Sequence, residues 1–170
     1  METYDSKPRV NPIVQQVKSN TTSWIGKRRG ETTNRISGQT FTCPAEGNLD
    51  CIEIFSDYVH ENGPVHLTIH QFDSENKSWG KPLGSSTVEF NRADTGKWIS
   101  FPLQGLQLHK GESYGFRLKS DMGLFGLGAT AGSANQQAYQ GGQEWMTDSE
   151  NHPGNFYSYL SLAFKVAMRA

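Results

Sequence analysis

Turn-forming residues cut this chain into short pieces, and within the pieces apolar side chains fall on alternate positions. Glycines at 38, 47, 63, 80, 84, 96, 105, 111, 123, 141 and 142 supply the punctuation. Between them Val65, Leu67 and Ile69 alternate with His66, Thr68 and His70, and Ile99, Phe101 and Leu103 share one side with Trp98 on the other. Tyr114, Phe116 and Leu118 alternate with wet Arg117 and Lys119, and Leu160, Leu162, Phe164, Val166 and Met168 alternate with Ser161, Ala163, Lys165 and Arg169. A period of two is the mark of a strand with one buried face. No apolar 3.6-residue period lasts beyond two turns, which sets a helical fold aside. Half-buried strands must stack as two sheets about 10 Å apart. The spacing therefore predicts an all-β, two-sheet antiparallel β-sandwich, closed with jelly-roll topology. No repeat of 20–50 residues points to a propeller or solenoid.

Its 170 residues suffice for one domain with a sizeable core. Residues 1–30 are polar, with Pro8, Pro12 and the basic cluster Lys27, Arg28, Arg29, and read as an extended N-terminal arm. Trp24-Ile25 is a short strand that docks it, and residues 31–170 are the sandwich. Acidic and basic residues nearly cancel, 17 against 16, so no basic stripe suggests a nucleic-acid partner. No apolar run approaches the length of a membrane span. The first 30 residues lack the apolar segment of a signal peptide, so an extracellular location is expected only if the chain is a trimmed mature form.

The candidate chemistry is sparse. His66 and His70 have metal-ligand spacing for a helix, but four residues along a strand span about 13 Å, too far for one zinc ion. With Ile52 and Ile54 inward, Cys51 should point out while Cys43 follows Phe41 into the core, which favours two free thiols over a bridge. No nucleophile elbow or phosphate loop is present, and no cofactor is implied. A structural Ca²⁺ held by loop carboxylates has Asp73, Glu75 and Asp148 as candidates by location alone, without a D-x-D-x-D-G string to support it. The aromatics carry more. Tyr139-Gln-Gly-Gly-Gln-Glu-Trp145 sets two rings among amide donors, and a sugar, with an apolar face and a belt of hydroxyls, matches a flat ring beside Asn and Gln. The expected binding residues are Tyr139, Trp145, Gln143, Gln137, Asn135 and Trp79.

Five stretches occur in an order found in one kind of module: Gly38–Ile52 (GQTFTCPAEGNLDCI), Pro64–His70 (PVHLTIH), Gly80–Ser86 (GKPLGSS), Gly96–Leu103 (GKWISFPL) and Leu108–Tyr114 (LHKGESY). Over about residues 38–166 the chain resembles the jelly-roll β-sandwich modules, similar to galactose-binding-like and carbohydrate-binding domains, that are appended to bacterial extracellular proteins. That resemblance implies a sandwich and carbohydrate recognition, but it carries over no particular binding residue. Together these features read as a non-enzymatic binding module with carbohydrate as ligand. The alternatives are a structural or assembly subunit of a surface or phage-like particle, oligomerising through its N-terminal arm, and, more weakly, a hydrolase on the same scaffold.

Overall fold

A computed structural model describes residues 10–133 and 135–169. Its strands are β1 (Val10–Gln16), β2 (Thr21–Lys27), β3 (Ile36–Thr42), β4 (Gly47–Glu61), β5 (Gly63–Asp73), β6 (Ser78–Phe90), β7 (Lys97–Leu108), β8 (Ser113–Lys119), β9 (Gly123–Ala131), β10 (Glu144–Thr147), β11 (Asn155–Tyr157), β12 (Leu160–Leu162) and β13 (Phe164–Arg169). Among the described residues the one helical segment is a 3₁₀ turn at Arg92–Asp94.

The strands form two sheets, antiparallel throughout. One has seven strands in the order β1-β13-β4-β9-β12, with β2 also on β9 and β7 also on β4. The other has six, in the order β11-β10-β3-β8-β5-β6. Aromatic rings lock the two together. Phe164 of the seven-stranded sheet meets Phe116 at 5.6 Å and Phe41 at 6.3 Å between ring centroids, both from the six-stranded sheet. Further along, Phe90 of β6 meets Phe125 of β9 at 5.4 Å and Phe101 of β7 at 5.9 Å. All five phenylalanines besides Phe41 are fully buried and Phe41 is 1 % exposed. Each such ring contributes about 1.5–3 kcal/mol of burial free energy, and tilted or edge-on pairs add a further part.

The alternation read from sequence sets the faces. Val65, Leu67 and Ile69 are buried while His66, Thr68 and His70 are half-buried on the outer face. Leu162, Phe164 and Val166 are fully buried. The terminal run is divided, however: β12 pairs with β9, and β13 lies between β1 and β4.

Two expectations need revision. Residues 10–16 and 21–27, read as part of an extended N-terminal arm docked by a short strand at Trp24-Ile25, are β1 and β2, paired along their length with β13 and β9. Val14 and Ile25 of these strands enter the core, which offsets the cost of ordering the segment. Of the expected arm, residues 1–9 lie outside the described residues. Cys51 points away from the interior, as expected, since its ladder partners Ala167 and Pro102 alternate with the core residues Ile52, Val166 and Phe101, yet it is only 8 % exposed. The polar run Asp73–Gly80, closed by Pro82, reads from sequence as a loop, but β6 begins at Ser78 and carries Trp79; Pro82 is tolerated there because β6 is an edge. The Gly-rich run Leu124–Thr130, which reads from sequence as a bulged or edge strand, is the bulged kind: β9 is paired on both sides and carries its irregularities against β4.

Candidate functional site

Direct partners in an antiparallel ladder share a face of the sheet. Across the six-stranded sheet, Phe156 of β11 faces Trp145 of β10, Trp145 faces Gly38 of β3, Gly38 faces Arg117 of β8, and Arg117 faces Thr68 of β5. Their neighbours Gln39, Phe116 and Leu67 are buried between the sheets, so this row lies on the outer surface. Missing side chains in the middle of the row make room. A Cβ on Gly115 would lie 2.6 Å from Trp79 Cζ3, and one on Gly38 would lie 3.3 Å from both indoles. The two tryptophans therefore lie down over bare backbone, edge to face, with centroids 5.4 Å apart.

Phe72, His70 and Phe156 pack around Trp79, at 5.3, 5.5 and 6.3 Å. The Arg117 guanidinium carbon stands 4.4 Å from the centroid of each indole, seated over both. Beside this cluster opens a groove of about 360 Å³ lined by Ile36, Thr68, His70, Pro82, Arg117, Lys119, Trp145, Thr147, Glu150 and His152.

The electrostatics of the groove are uneven. Lys119 donates to Glu150 at 2.7 Å and His152 Nδ1 donates to Asp148 at 2.7 Å, so both rim donors have acidic partners. Lys119 in turn holds the Glu150 carboxyl below its ordinary range. His70 Nδ1 lies 3.2 Å from the Gly80 carbonyl, which can only accept; the hydrogen is therefore on Nδ1 and Nε2 is left as an acceptor. Burial pushes the His70 pKa down, favouring this neutral form. Burial also lowers the Arg117 pKa. Two donors at the centre, Trp79 Nε1 and Arg117 Nε, are buried without an acceptor among the described residues.

The expected binding residues separate into three places. Trp79 and Trp145 meet in the cluster just described. Trp145 is not an open platform, though: it is 2 % exposed, because the segment after β10 folds over it and the Pro153 carbonyl accepts its indole N–H at 3.0 Å. Tyr139 is not free either. Its ring packs edge-on against Phe164 at 5.5 Å, and burial raises its hydroxyl pKa. Gln137 and Gln143 line a different, smaller recess of about 180 Å³ with Thr40, Gly141 and Gly142. There the Gln143 backbone is tied to Thr40 on both sides, at 2.9 and 3.0 Å. Asn135 is exposed in the turn between Ser133 and Gln136.

Asp73 and Glu75 lie in the β5–β6 turn, where the Asp73 carboxylate accepts from the Glu75 and Asn76 backbones. Asp148 lies in the β10–β11 connection. Among the described residues no three His, Cys, Asp or Glu side chains gather closely enough to hold a metal ion. Cys43 and Cys51 are both free and buried, and burial raises both thiol pKa values.

Arg117 is the functional candidate that sequence reading passed over, and His70 was weighed there only as a metal ligand. Arg117 appears only as an outward position of a strand, and nothing local links it to indoles far away along the chain.

The fold and groove together define an antiparallel β-sandwich that offers a ligand-sized concavity on the outer face of one sheet. No family model and no curated protein matches the sequence. Among solved structures, the chain is similar to the clostridial cysteine protease Cwp84 after propeptide cleavage, with a TM-score of 0.57 and 14 % identity over 99 % of this chain and 42 % of that one. It is also similar to a structure of the cysteine protease and lectin-like domains of Cwp84, a surface layer associated protein of Clostridium difficile, with a TM-score of 0.51 and 13 % identity over 81 % of this chain and 33 % of that one. The chain thus spans less than half the length of either, and at such identities the likeness is one of fold.

Proposed function

We propose that this chain is a binding module that recognises carbohydrate in the groove beside Trp145 and Arg117. The observation that carries the reading is a groove of about 360 Å³ lined by Arg117, whose guanidinium donates no hydrogen bond among the described residues. Its Nε is fully buried without an acceptor, but its two terminal nitrogens are not, and a ligand rich in oxygen acceptors is a partner for them. The flat His70 imidazole and the apolar Pro82 ring, both in the groove lining, suit the apolar face of a pyranose. Thr68, His70 Nε2 and the Lys119–Glu150 pair supply partners for its hydroxyls. Likeness to a structure that contains a lectin-like domain agrees with this reading.

A glycan array probed with the intact chain tests it, followed by the same array with Thr68→Phe and His70→Ala. Thr68 is half-buried on the outer face, so the added ring fills the groove without entering the core. Binding of at least one glycan at millimolar or lower concentration is expected, with a loss of tenfold or more in Thr68→Phe at an unchanged melting temperature. Absence of any glycan binding overturns the reading, as does binding that the groove-filling variant leaves intact.

A further inference from the structure

We infer that the sugar held in this groove is an acidic one, and that its anionic group docks on Arg117. The inference rests on the groove reading above and adds the ligand's charge.

Of the two side chains with a permanent positive charge in the lining, Lys119 is already bound to Glu150. Arg117 stands apart. Among the described residues it has no carboxylate within 4.0 Å and donates no hydrogen bond, although a guanidinium carries five N–H donors. It is half-buried, and the low polarity around it weakens its hold on the proton. The two indole faces compensate part of the lost hydration, but they meet the π-side of the charge and satisfy none of its N–H groups. What they do is fix the guanidinium in one place over a rigid bed, with Gly38 and Gly115 beneath the rings. A cation held in place, partly desolvated and without a counter-ion is matched by one negative charge with paired oxygens, the geometry of a carboxylate. His70 adds specificity. Its neutral imidazole brings no competing charge, and its Nε2 acceptor suits a hydroxyl adjacent to the acid group. A neutral sugar would satisfy donors but leave the charge uncompensated.

The test uses the intact chain and calorimetric titration with galacturonate oligomers, hyaluronan fragments and sialyllactose, against galactan fragments, chitooligosaccharides and lactose. The tightest acidic binder is then compared with its own methyl ester, which keeps the shape and removes the charge. The acid is expected to bind at least tenfold more tightly than the ester, and to weaken as NaCl rises from 50 to 300 mM while the ester does not. Arg117→Gln should abolish the acid preference, so that acid and ester bind the variant within twofold of each other. Arg117→Lys, which keeps the charge but loses the planar fork, should retain salt dependence with weaker affinity, and serves if the Gln variant fails to fold. Equal affinity for acid and ester, or binding confined to neutral sugars, overturns the charge assignment while leaving the groove reading intact. Binding of no sugar in either group overturns both.

Discussion

Glu144 is the residue whose position is hardest to reconcile with its chemistry. It alternates with Trp145, so placing the indole on the outer face of β10 turns the carboxyl inward, opposite Gln39. There it is fully buried, with Ser23 Oγ donating to one oxygen at 2.7 Å and the other oxygen unpartnered. Burial raises its pKa from 4.5 to about 7. Because the folded state binds this proton more tightly than the unfolded chain, the associated stability is complete below about pH 4.5 and is lost as pH rises through about 7. The full difference amounts to roughly 3 kcal/mol. Glu144→Gln removes the ionisation. Urea midpoints measured from pH 5 to 8 should fall with rising pH in the native chain by more than in the variant, and the variant should be the more stable one at pH 8. A parallel pH dependence in both would show that Glu144 is not the source. The inward glutamate was not legible from sequence, since a four-residue strand is too short to declare its alternation.

Strands were largely legible where several alternating apolar residues repeat, as in Val65–Ile69 and Leu160–Met168. They were not legible where pairing partners supply the order. The polar segment at β1 becomes a strand because β13 offers it an edge, and β10 and β11 become strands because β3 does. Trp79 was noticed for its ring but placed in a loop, because Gly80 and Pro82 look like breakers until β6 is known to be an edge. The same elements make two predictions. Gly115→Val should displace the Trp79 indole, since the first added carbon already falls 2.6 Å from it. The expected cost is about 1–3 kcal/mol, visible in a urea titration together with a shift in tryptophan fluorescence; an unchanged spectrum would contradict the packing. Deleting residues 1–17 removes β1 and the Val14 side chain, and uncovers β13 as an edge. A loss of roughly 2–3 kcal/mol and a tendency to self-associate are expected, read by urea midpoint and size-exclusion chromatography. A shortened chain of undiminished stability would count against β1 as part of the sheet.

On the scale of the whole molecule, the two-sheet sandwich followed from period-two burial, and the site did not. Fold class depends on many residues repeating one rule, so single errors such as the loop reading at Trp79 leave it standing. A binding groove depends on a few side chains brought from distant strands. Trp79, Arg117 and Trp145 come from β6, β8 and β10, and only the sheet order sets them side by side. Sequence reading named Trp79 and Trp145 but grouped Trp145 with Tyr139, its neighbour in the chain, rather than with its neighbours across the ladder.

The place of β13 has a consequence for how the chain is made. It fills the slot between β1 and β4, two segments that leave the ribosome long before it. Until Phe164–Arg169 emerge, β1 has no ladder partner, and β4, already able to pair with β7 and β9, stays open along the edge at Asn48–Ile54. Closure of the seven-stranded sheet therefore waits for β13, the last of its strands to be made.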